Sequence, residues 1–466
     1  MTAEHHIPQA DSRELTRRAF LRSAAVGGTV AIVPAHVLGR GTKAPSAKLN
    51  IAGVGLGVIG TKNLAACQSE NIVALCDVDW QTASVTFQQY PRARKYHDYR
   101  RMLDREKDID AVVVATPDHT HAVITAAALR REKHVYTQMP LAHDVWETRQ
   151  LTRLAKKSSA VTQMGNERYS ATTIRSVCEW IWDGVIGPVH EVHCWTNRPQ
   201  WPQGISRPSD TPPVPPQLDW DLWLGPAPAR PYHPAYHPYG WRGWQDFGTG
   251  ALGAMGCHVM DAAFWALKLS AAKTFEVEAD STARNAESYP RSAAVRYRFP
   301  ARAGMPPVTV HWYDGGRQPP RPPEWPKTRE FTGSNGTIFV GAYGKLVYGG
   351  VMAGTHPGQA GPWLLPESLM KSYQRPQRSL KRVKPAGGKW VEYERHEQEW
   401  IRACQGGPST SSRFEIAGPL TEMALLGNVA VLSGKPVQWD VEALEVRNQP
   451  EFNRLLHRPY RSGWQL

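Results

Sequence analysis

The sequence predicts an α/β protein with two parts: an N-terminal doubly wound parallel sheet, and a C-terminal α+β domain with a large, mainly antiparallel open sheet. Two observations support this prediction. Short apolar runs alternate with helical patterns between residues 48 and 163, as they do in βαβ units. After about residue 168 the rhythm changes, and strand-like runs follow a stretch at 199–238 that holds twelve prolines.

The parallel sheet is predicted from its apolar runs in chain order. Residues 49–54 form the first strand, and a Gly-rich turn and a helix follow. The run at 110–115 is almost entirely apolar, as expected for a parallel strand that is buried on both faces. The remaining strands are predicted at 71–77, 133–136 and 160–163, and helices at 119–130 and 144–157.

The second domain is predicted from residue 169 onward. A helix at 172–183 precedes a strand at 189–196, and the proline-rich loop then excludes both helix and sheet. Further strands are predicted at 274–282, 293–299, 307–312 and 336–341, and helices at 251–267, 394–404 and 415–432. The predicted segments are therefore a leader and linker (1–40), a nucleotide-binding domain (41–168) and a C-terminal domain (169–466) with a Pro/Trp-rich loop at 199–245.

Composition excludes several classes of protein. The chain has 466 residues, a net charge of +13 and 21% charged residues, which excludes a disordered polyelectrolyte. No apolar run reaches the roughly 18 residues of a transmembrane helix, so no stable span is predicted. The positive charge is spread along the chain without a basic stripe, and we expect no nucleic-acid partner. The six cysteines form no C-x-x-C pair; we expect buried thiols and no metal site.

The N-terminus is typical of an export signal. Arg17 and Arg18 precede Phe20-Leu21, and a weakly apolar stretch runs from 24 to 33. This arrangement resembles a twin-arginine (Tat) signal. We therefore expect transport by the Tat translocase to the periplasm or cell envelope, with residues 33–35 as a cleavage site or with an uncut anchor.

A dinucleotide fingerprint follows the first strand. Gly55, Gly57 and Gly60 fit G-x-G-x-x-G, in which the glycines permit a tight turn, close approach of the backbone to pyrophosphate and close helix packing. Asp77 lies 20 residues beyond Gly57, where a carboxylate binds ribose hydroxyls and repels a 2′-phosphate. NAD is therefore predicted over NADP, and Asp79 is a rival for the same role.

Three longer motifs carry a family resemblance. They lie at 115–121 (ATPDHTH), 134–141 (HVYTQMPL) and 246–261 (DFGTGALGAMGCHVMD). With the fingerprint they resemble the Gfo/Idh/MocA oxidoreductases, which include glucose–fructose oxidoreductase and inositol dehydrogenase. The motifs at 195–204, 222–226 and 463–464 resemble its Tat-exported subgroup. The resemblance implies a Rossmann domain, an open antiparallel sheet that often mediates homo-oligomers (dimers or tetramers), and a site between them.

The resemblance also implies roles for individual residues. His258 matches the histidine that exchanges the hydroxyl proton while hydride moves between substrate and cofactor, and Asp261, one helical turn later, is its candidate partner. The cofactor would be bound by residues of the fingerprint, of the second strand and of the next two loops: Gly55, Gly57, Ile59, Gly60, Asp77, Thr116, Pro117, Asp118, His121, Gln138, Met139 and Pro140.

Two positions depart from the family pattern. Met139 stands where the family has lysine, and Ala254 stands where it has aspartate. The lysine polarises the substrate oxygen and the aspartate sets the pKa of the histidine, and neither Met nor Ala can do this. Titratable residues near the motifs are candidates to replace them: Asp118, His119, Glu167, Asp261 and His311.

A carbohydrate surface is predicted beside this site, because aromatic faces stack on sugars while Asn and Arg bind hydroxyl or carboxylate groups. The residues are Trp195, Asn197, Arg198, Tyr236, Trp241 and Arg242. The alternative is a structural loop or a subunit interface. For the whole protein, hydride transfer on a sugar, polyol or glycoside is the first hypothesis. A redox-neutral NAD-dependent hydrolase, lyase or epimerase and an impaired carbohydrate-binding protein are the alternatives.

Overall fold

The protein is described by a computed structural model that covers residues 47–327, 331, 334–349, 362–380 and 396–466. The predicted leader at 1–40 lies outside these residues, as do the first two residues of the helix predicted at 394–404.

The first domain is built on a six-stranded parallel sheet. Its strand order is β3-β2-β1-β4-β5-β6, so the order reverses between β1 and β4, where doubly wound sheets bind their ligands. The elements are β1 (Asn50–Val54), α1 (Val58–Ala66), β2 (Asn71–Cys76), α2 (Ser84–Gln89), β3 (Arg94–Tyr96), α3 (Tyr99–Arg105), β4 (Ala111–Val114), α4 (Asp118–Leu129), β5 (His134–Thr137), α5 (Val145–Lys157) and β6 (Thr162–Met164).

The second domain is built on a nine-stranded sheet in the order β13-β12-β11-β7-β10-β9-β8-β14-β15. All neighbouring pairs are antiparallel except β7 with β10. The elements are α6 (Thr172–Trp182), β7 (Val189–Thr196), α7 (Trp220–Leu224), α8 (Gly250–Val259), α9 (Asp261–Ala266), β8 (Thr274–Ser281), β9 (Ala293–Phe299), β10 (Val308–Tyr313), β11 (Asn335–Gly341), β12 (Lys345–Tyr348), β13 (Trp363–Leu365), α10 (Glu367–Ser372), α11 (His396–Cys404), α12 (Phe414–Ser433), β14 (Val437–Asp440) and β15 (Glu445–Val446).

The predicted fold class is confirmed. The apolar runs that predicted strands at 71–77 and 110–115 form β2 and β4, and the later strand predictions match β7 to β11 within two residues at either end. The missed strands are short. β3 is a polar edge strand of three residues, and β12 to β15 have at most four residues each, too few to show a period of two.

Helix α12 joins the two domains. It packs against α5 of the first domain and against α8 and β8 of the second. Its 20 residues are apolar enough for a membrane span, but 78% of the apolar window is buried, so among the described helices it serves as a core helix. All six cysteines are unpaired thiols, and five of them are buried, as the sequence predicts.

A charged pair anchors this junction. Arg149 of α5 donates from Nη2 and Nε to the Glu422 carboxylate of α12 at 2.7 and 3.1 Å, and Trp439 Nε1 donates to the same carboxylate at 3.2 Å. Glu422 is 4% exposed. Removing one partner of a buried pair leaves the other charge without compensation.

We predict that Arg149→Met lowers the free energy of unfolding by about 3 kcal/mol, because Glu422 then stays buried without its cation. Exposed Arg153, one turn further along α5, supplies the matched control, since Arg153→Met changes charge without uncovering a buried acid. Urea denaturation of both variants measures the difference. Equal stabilities would show that the pair contributes nothing to the junction.

Candidate functional site

The Gly-rich turn lies at the carboxyl end of β1, against the loop that follows β4. Gly55 has φ +83°, and a Cβ on it would lie 2.6 Å from the backbone of Ala115 and Thr116. A Cβ on Gly60 would collide with the Gly55 carbonyl oxygen. A Cβ on Gly57 would meet only Thr82, at 3.9 Å, so this part of the turn faces open space. The first and third glycines therefore serve packing, and the second leaves room for a ligand.

The structure separates the two aspartates that the sequence leaves as rivals. Asp77 accepts the backbone N–H of Leu56 at 2.6 Å and of Asp79 at 2.9 Å, and burial raises its pKa to about 6. Asp79 makes different contacts from those of Asp77. Its carboxylate accepts from Thr82 Oγ1 and pairs with His237 Nε2, both at 2.7 Å. Burial alone would raise the pKa of Asp79, but these hydrogen bonds outweigh it and lower the pKa to about 2.

A cavity of about 480 Å³ opens at this turn. One side is formed by the turn, by Asp77 and by the loop after β4. The other is formed by the segment 217–242, here called the cover segment, and by Trp464 near the C-terminus. Of the predicted cofactor residues, these line it: Gly55, Gly57, Ile59, Asp77, Thr116 and Pro117.

The donor set of the cavity fits a dinucleotide. Thr116 Oγ1 is buried without a hydrogen-bond partner among the described residues. Among the described residues, the Arg242 guanidinium donates one hydrogen bond, to the Tyr239 carbonyl at 3.1 Å. It lines the cavity, and its other donors are left for phosphate. Together with the open face at Gly57, these groups match a ribose and a diphosphate placed over the start of α1.

The other predicted cofactor residues shape the loops around the cavity. His121 places its two ring nitrogens 2.8 Å from the Pro140 carbonyl and 2.9 Å from the Thr116 carbonyl, so it ties the two loops together. Asp118 accepts from Thr249 Oγ1 at 2.6 Å, which joins the start of α4 to the start of α8. Gln138 turns toward α1 and donates to Asn63 Oδ1 at 3.0 Å. Met139 packs half-buried against the core.

Helix α8 carries His258 and packs against the 3₁₀ turn that follows β6. Ala254 and His258 are one turn apart on its half-exposed face. The neighbouring Cys257 lies 3.7 Å from Thr421 Oγ1, which also accepts the Leu141 backbone N–H at 3.4 Å. The helix therefore lies next to the segment that contains Met139 and Pro140.

The predicted pairing of His258 with Asp261 is not present. Helix α8 ends at Val259 and α9 begins at Asp261, which is fully buried and accepts the Ala262 N–H at 2.7 Å. His258 Nδ1 and Asp261 Oδ2 both lack a partner in the described part of the chain. Burial raises the pKa of Asp261 to about 7. Asp261 is thus a buried acid beneath the site, without a hydrogen bond to His258.

Arg168 is a site residue that the sequence did not reveal. It lies in the 3₁₀ turn Glu167–Ser170, which follows β6 and packs against α8. Its half-buried side chain forms no hydrogen bond or ion pair with any described residue. Burial and, next, the Arg168 charge lower the pKa of His258 to about 3, so this imidazole is neutral near pH 7. A lone arginine in a short turn gives no sequence signal, because its surroundings come from a helix about 90 residues away.

The structure does not bring the predicted substrate residues together on one surface. Trp195 is 3% exposed in a cluster with Trp325 and Ile338, and Tyr236 is 2% exposed among the aromatic rings of the cover segment. Asn197 lies at a separate surface depression, and its carboxamide oxygen accepts from Arg198 Nη1 at 2.8 Å. Trp241 and Arg242 line the cofactor cavity instead. Burial therefore gives Trp195 and Tyr236 packing roles.

The comparisons with known proteins place the chain. Residues 49–166 match an oxidoreductase family described as an NAD-binding Rossmann fold, and residues 188–303 match the C-terminal alpha/beta domain of the same family. The chain belongs to the Gfo/Idh/MocA oxidoreductase family. Its first domain is therefore an NAD-binding Rossmann domain, which agrees with the fingerprint and the cavity.

Curated relatives match over part of their length. Inositol 2-dehydrogenase of Salmonella typhimurium is 31% identical over 94 residues, 19% of this chain and 28% of that protein. Myo-inositol 2-dehydrogenase of Thermotoga maritima is 24% identical over 157 residues, which are 33% of this chain and 47% of that protein. A glycosyl hydrolase family 109 protein of Saccharopolyspora erythraea is 28% identical over 210 residues, 39% and 45%. The chain thus matches less than half the length of each.

Two solved structures share the fold of this chain. The WlbA dehydrogenase of Chromobacterium violaceum, in complex with NADH and UDP-GlcNAcA, has a TM-score of 0.57 at 15% identity and covers 84% of this chain and 96% of its own. Levoglucosan dehydrogenase, in complex with NADH and levoglucosan, has a TM-score of 0.53 at 18% identity and covers 84% and 99%.

We predict that Asp77→Asn weakens NAD binding about tenfold and reduces the preference for NAD over NADP, because the carboxylate in the cavity is lost. Asp79→Asn is the matched control, since Asp79 faces His237 and Thr82. Calorimetric titration of both variants with NAD and NADP measures the change. A larger loss in Asp79→Asn would assign the ribose contact to Asp79.

Proposed function

We propose that this chain is an NAD-dependent enzyme that transfers hydride at a CH–OH carbon of a sugar, polyol or glycoside, with His258 as the proton shuttle. One observation carries the proposal: α8 places a half-buried, neutral histidine next to the loop after β5, and β5 is the neighbour of β4, whose following loop lines the NAD cavity. The relatives named as inositol dehydrogenases, and the solved dehydrogenases that hold NADH with sugars, support this substrate class.

His258 and Arg168 have different roles in the proposed reaction. Bound NAD supplies the hydride acceptor or donor. His258 is neutral because of burial and the nearby Arg168, so its ring can take the proton of a substrate hydroxyl. Arg168 brings a positive charge toward the substrate oxygen, where negative charge develops as that proton leaves. It thereby takes over the electrostatic part that Met139 cannot perform.

We predict that His258→Asn lowers kcat/KM on a productive sugar by about 10²–10⁴, the usual contribution of a positioned acid–base group. In the pH dependence of kcat/KM of the wild-type protein, activity should fall only below about pH 5. The lowered pKa of His258 keeps this base unprotonated at higher pH. Full activity in His258→Asn would remove the histidine from the mechanism.

We predict that Arg168→Gln lowers kcat by about 10²–10³, because the positive charge near the substrate oxygen is lost. Exposed Arg153→Gln is the charge-matched control.

A second candidate is a redox-neutral reaction with retained NAD, and the cover segment favours it. Asp219 N–H donates to the Val78 carbonyl at 2.9 Å, and His237 pairs with Asp79, so the cover segment is fastened to the end of β2. Arg461 donates to Asp221 Oδ1 and to the Gly225 carbonyl, both at 2.5 Å, which brings the chain end over the same segment. The Arg100 guanidinium lies 4.7 Å from the centroid of the Trp464 ring at the cavity wall. Release of a nucleotide requires these contacts to break.

Two readouts on the same protein separate the candidates. Mass spectrometry of the denatured protein identifies retained nucleotide, and absorbance at 340 nm is followed while a panel of sugars, polyols and glycosides is analysed for products. Products with an equal change in NADH support net dehydrogenation. Products without it, lost when NAD is removed, support the redox-neutral reaction. NAD and sugar binding without products would identify a binding protein, and Met139→Lys with Ala254→Asp should then create dehydrogenase activity.

We also propose export through the Tat route, on the strength of Arg17 and Arg18 before the apolar stretch. The conservative double change Arg17→Lys with Arg18→Lys should leave the protein in the cytoplasm, because the route reads the arginine pair. Fractionation of cells that carry either form measures this. Equal periplasmic amounts would contradict the proposal.

A further inference from the structure

A second cluster of chemically active side chains lies on the large sheet, away from the cofactor cavity. Strands β7 and β10 run parallel, and His193 pairs in register with His311. Glu191 lies two residues before His193, on the same face of β7. The two imidazoles stack with centroids 4.9 Å apart. The inward faces of these strands pack in the main core, so this trio belongs to the outer face of the sheet.

The three side chains converge on one point. Glu191 Oε1 lies 2.8 Å from His311 Nε2 and 3.6 Å from His193 Nε2. The ligand atoms of all three side chains lie within 4.8 Å of one another. In a tetrahedral zinc site with bonds of roughly 2.0–2.1 Å, neighbouring ligand atoms are about 3.3 Å apart. The observed separations bracket this value, so small side-chain rotations would complete a three-ligand set.

Tyr313 orients one of these imidazoles. Its hydroxyl lies 3.1 Å from His193 Nδ1. A hydrogen bond donated by Nδ1–H to this oxygen leaves the lone pair of the ring on Nε2, on the side of Glu191. Metal-bound histidines are commonly held by such a partner on the other nitrogen. In this tautomer, and without a cation, the lone pair on Nε2 and a carboxylate oxygen of Glu191 face each other across 3.6 Å.

The neighbouring positive charges are already paired. Lys345 Nζ donates to Glu324 at 2.6 Å. Arg298 donates to Glu278 at 2.7 Å and also pairs with Glu276. These cations do not pair with Glu191, so its carboxylate is available to the two histidines. The Glu191 side chain is 36% exposed, and an ion can therefore reach it from solvent.

We propose that Glu191, His193 and His311 form a binding site for a divalent transition cation of the zinc type, which clamps β7 to β10 on the outer face of the sheet. Two imidazoles and one carboxylate are a recurrent ligand set for zinc, and a fourth position stays open to water. The site is independent of NAD and of the reaction at His258.

The test is calorimetric titration of the untagged, full-length protein with Zn²⁺ at pH 7.5, where histidines are neutral at their ordinary pKa. All proteins carry His5→Ser and His6→Ser, so the leader cannot supply ligands. We expect one ion per chain. His193→Ala and His311→Ala should each weaken binding by about 100-fold, and Tyr313→Phe by about tenfold. Bound zinc should raise the melting temperature of the parent protein and leave those of the alanine variants unchanged.

Exposed His190 on the same strand is the matched control, and His190→Ala should bind like the parent. If an alanine variant fails to fold, Glu191→Gln provides the second test, because it keeps the shape and removes the charge. Zinc affinity that is unchanged in His193→Ala, His311→Ala and Glu191→Gln would overturn the proposal. Absence of binding up to about 100 µM Zn²⁺ would also overturn it.

Discussion

The site depends on a half-buried carboxylate at the carboxyl end of β2. Asp77 accepts the N–H of Leu56 in the Gly-rich turn and that of Asp79 in the next loop. It thus fixes the ends of two adjacent parallel strands, while Gly55 lets the loop after β4 approach to contact distance. A buried charge is costly unless it is hydrogen-bonded, so the carboxylate and the two loops hold one another in place. The cavity takes its shape from this arrangement.

The cover segment extends the same constraint to the second domain. The backbone N–H of Asp79 donates to the Asp77 carboxylate, which fixes the position of Asp79. The Asp79 carboxylate in turn forms the hydrogen bond to His237. The chain end is fastened to the cover segment through Arg461. One side of the nucleotide cavity is therefore formed by elements more than 130 residues away from the fingerprint, although the fingerprint itself is local.

Local features of the sequence were sufficient for the fold and for the cofactor turn. Apolar runs marked the buried strands, and three glycines at fixed spacing marked the turn, since both signals lie within a few residues. The predicted substrate residues are dispersed in the structure for a physical reason. Trp195 and Tyr236 are aromatic residues near the right motifs, but sequence does not show whether a ring faces a cleft or a core, and here burial decided for the core.

Contacts between residues far apart in the chain cannot be predicted from the sequence for the same reason. His193 and His311 meet because β7 and β10 are neighbours in a sheet order that the sequence does not encode locally. Asp261 was placed beside His258 by helical spacing alone. The chain leaves the α8 helix between them, so the spacing rule no longer applied.

The replacement of the family's lysine and aspartate need not abolish chemistry. A developing negative charge on substrate oxygen responds to the distance and burial of a cation, not to the strand from which it comes. The turn after β6, which carries Arg168, packs against α8, and the Arg168 charge lowers the pKa of His258. The same charge disfavours the imidazolium, so a proton taken from substrate is readily passed on.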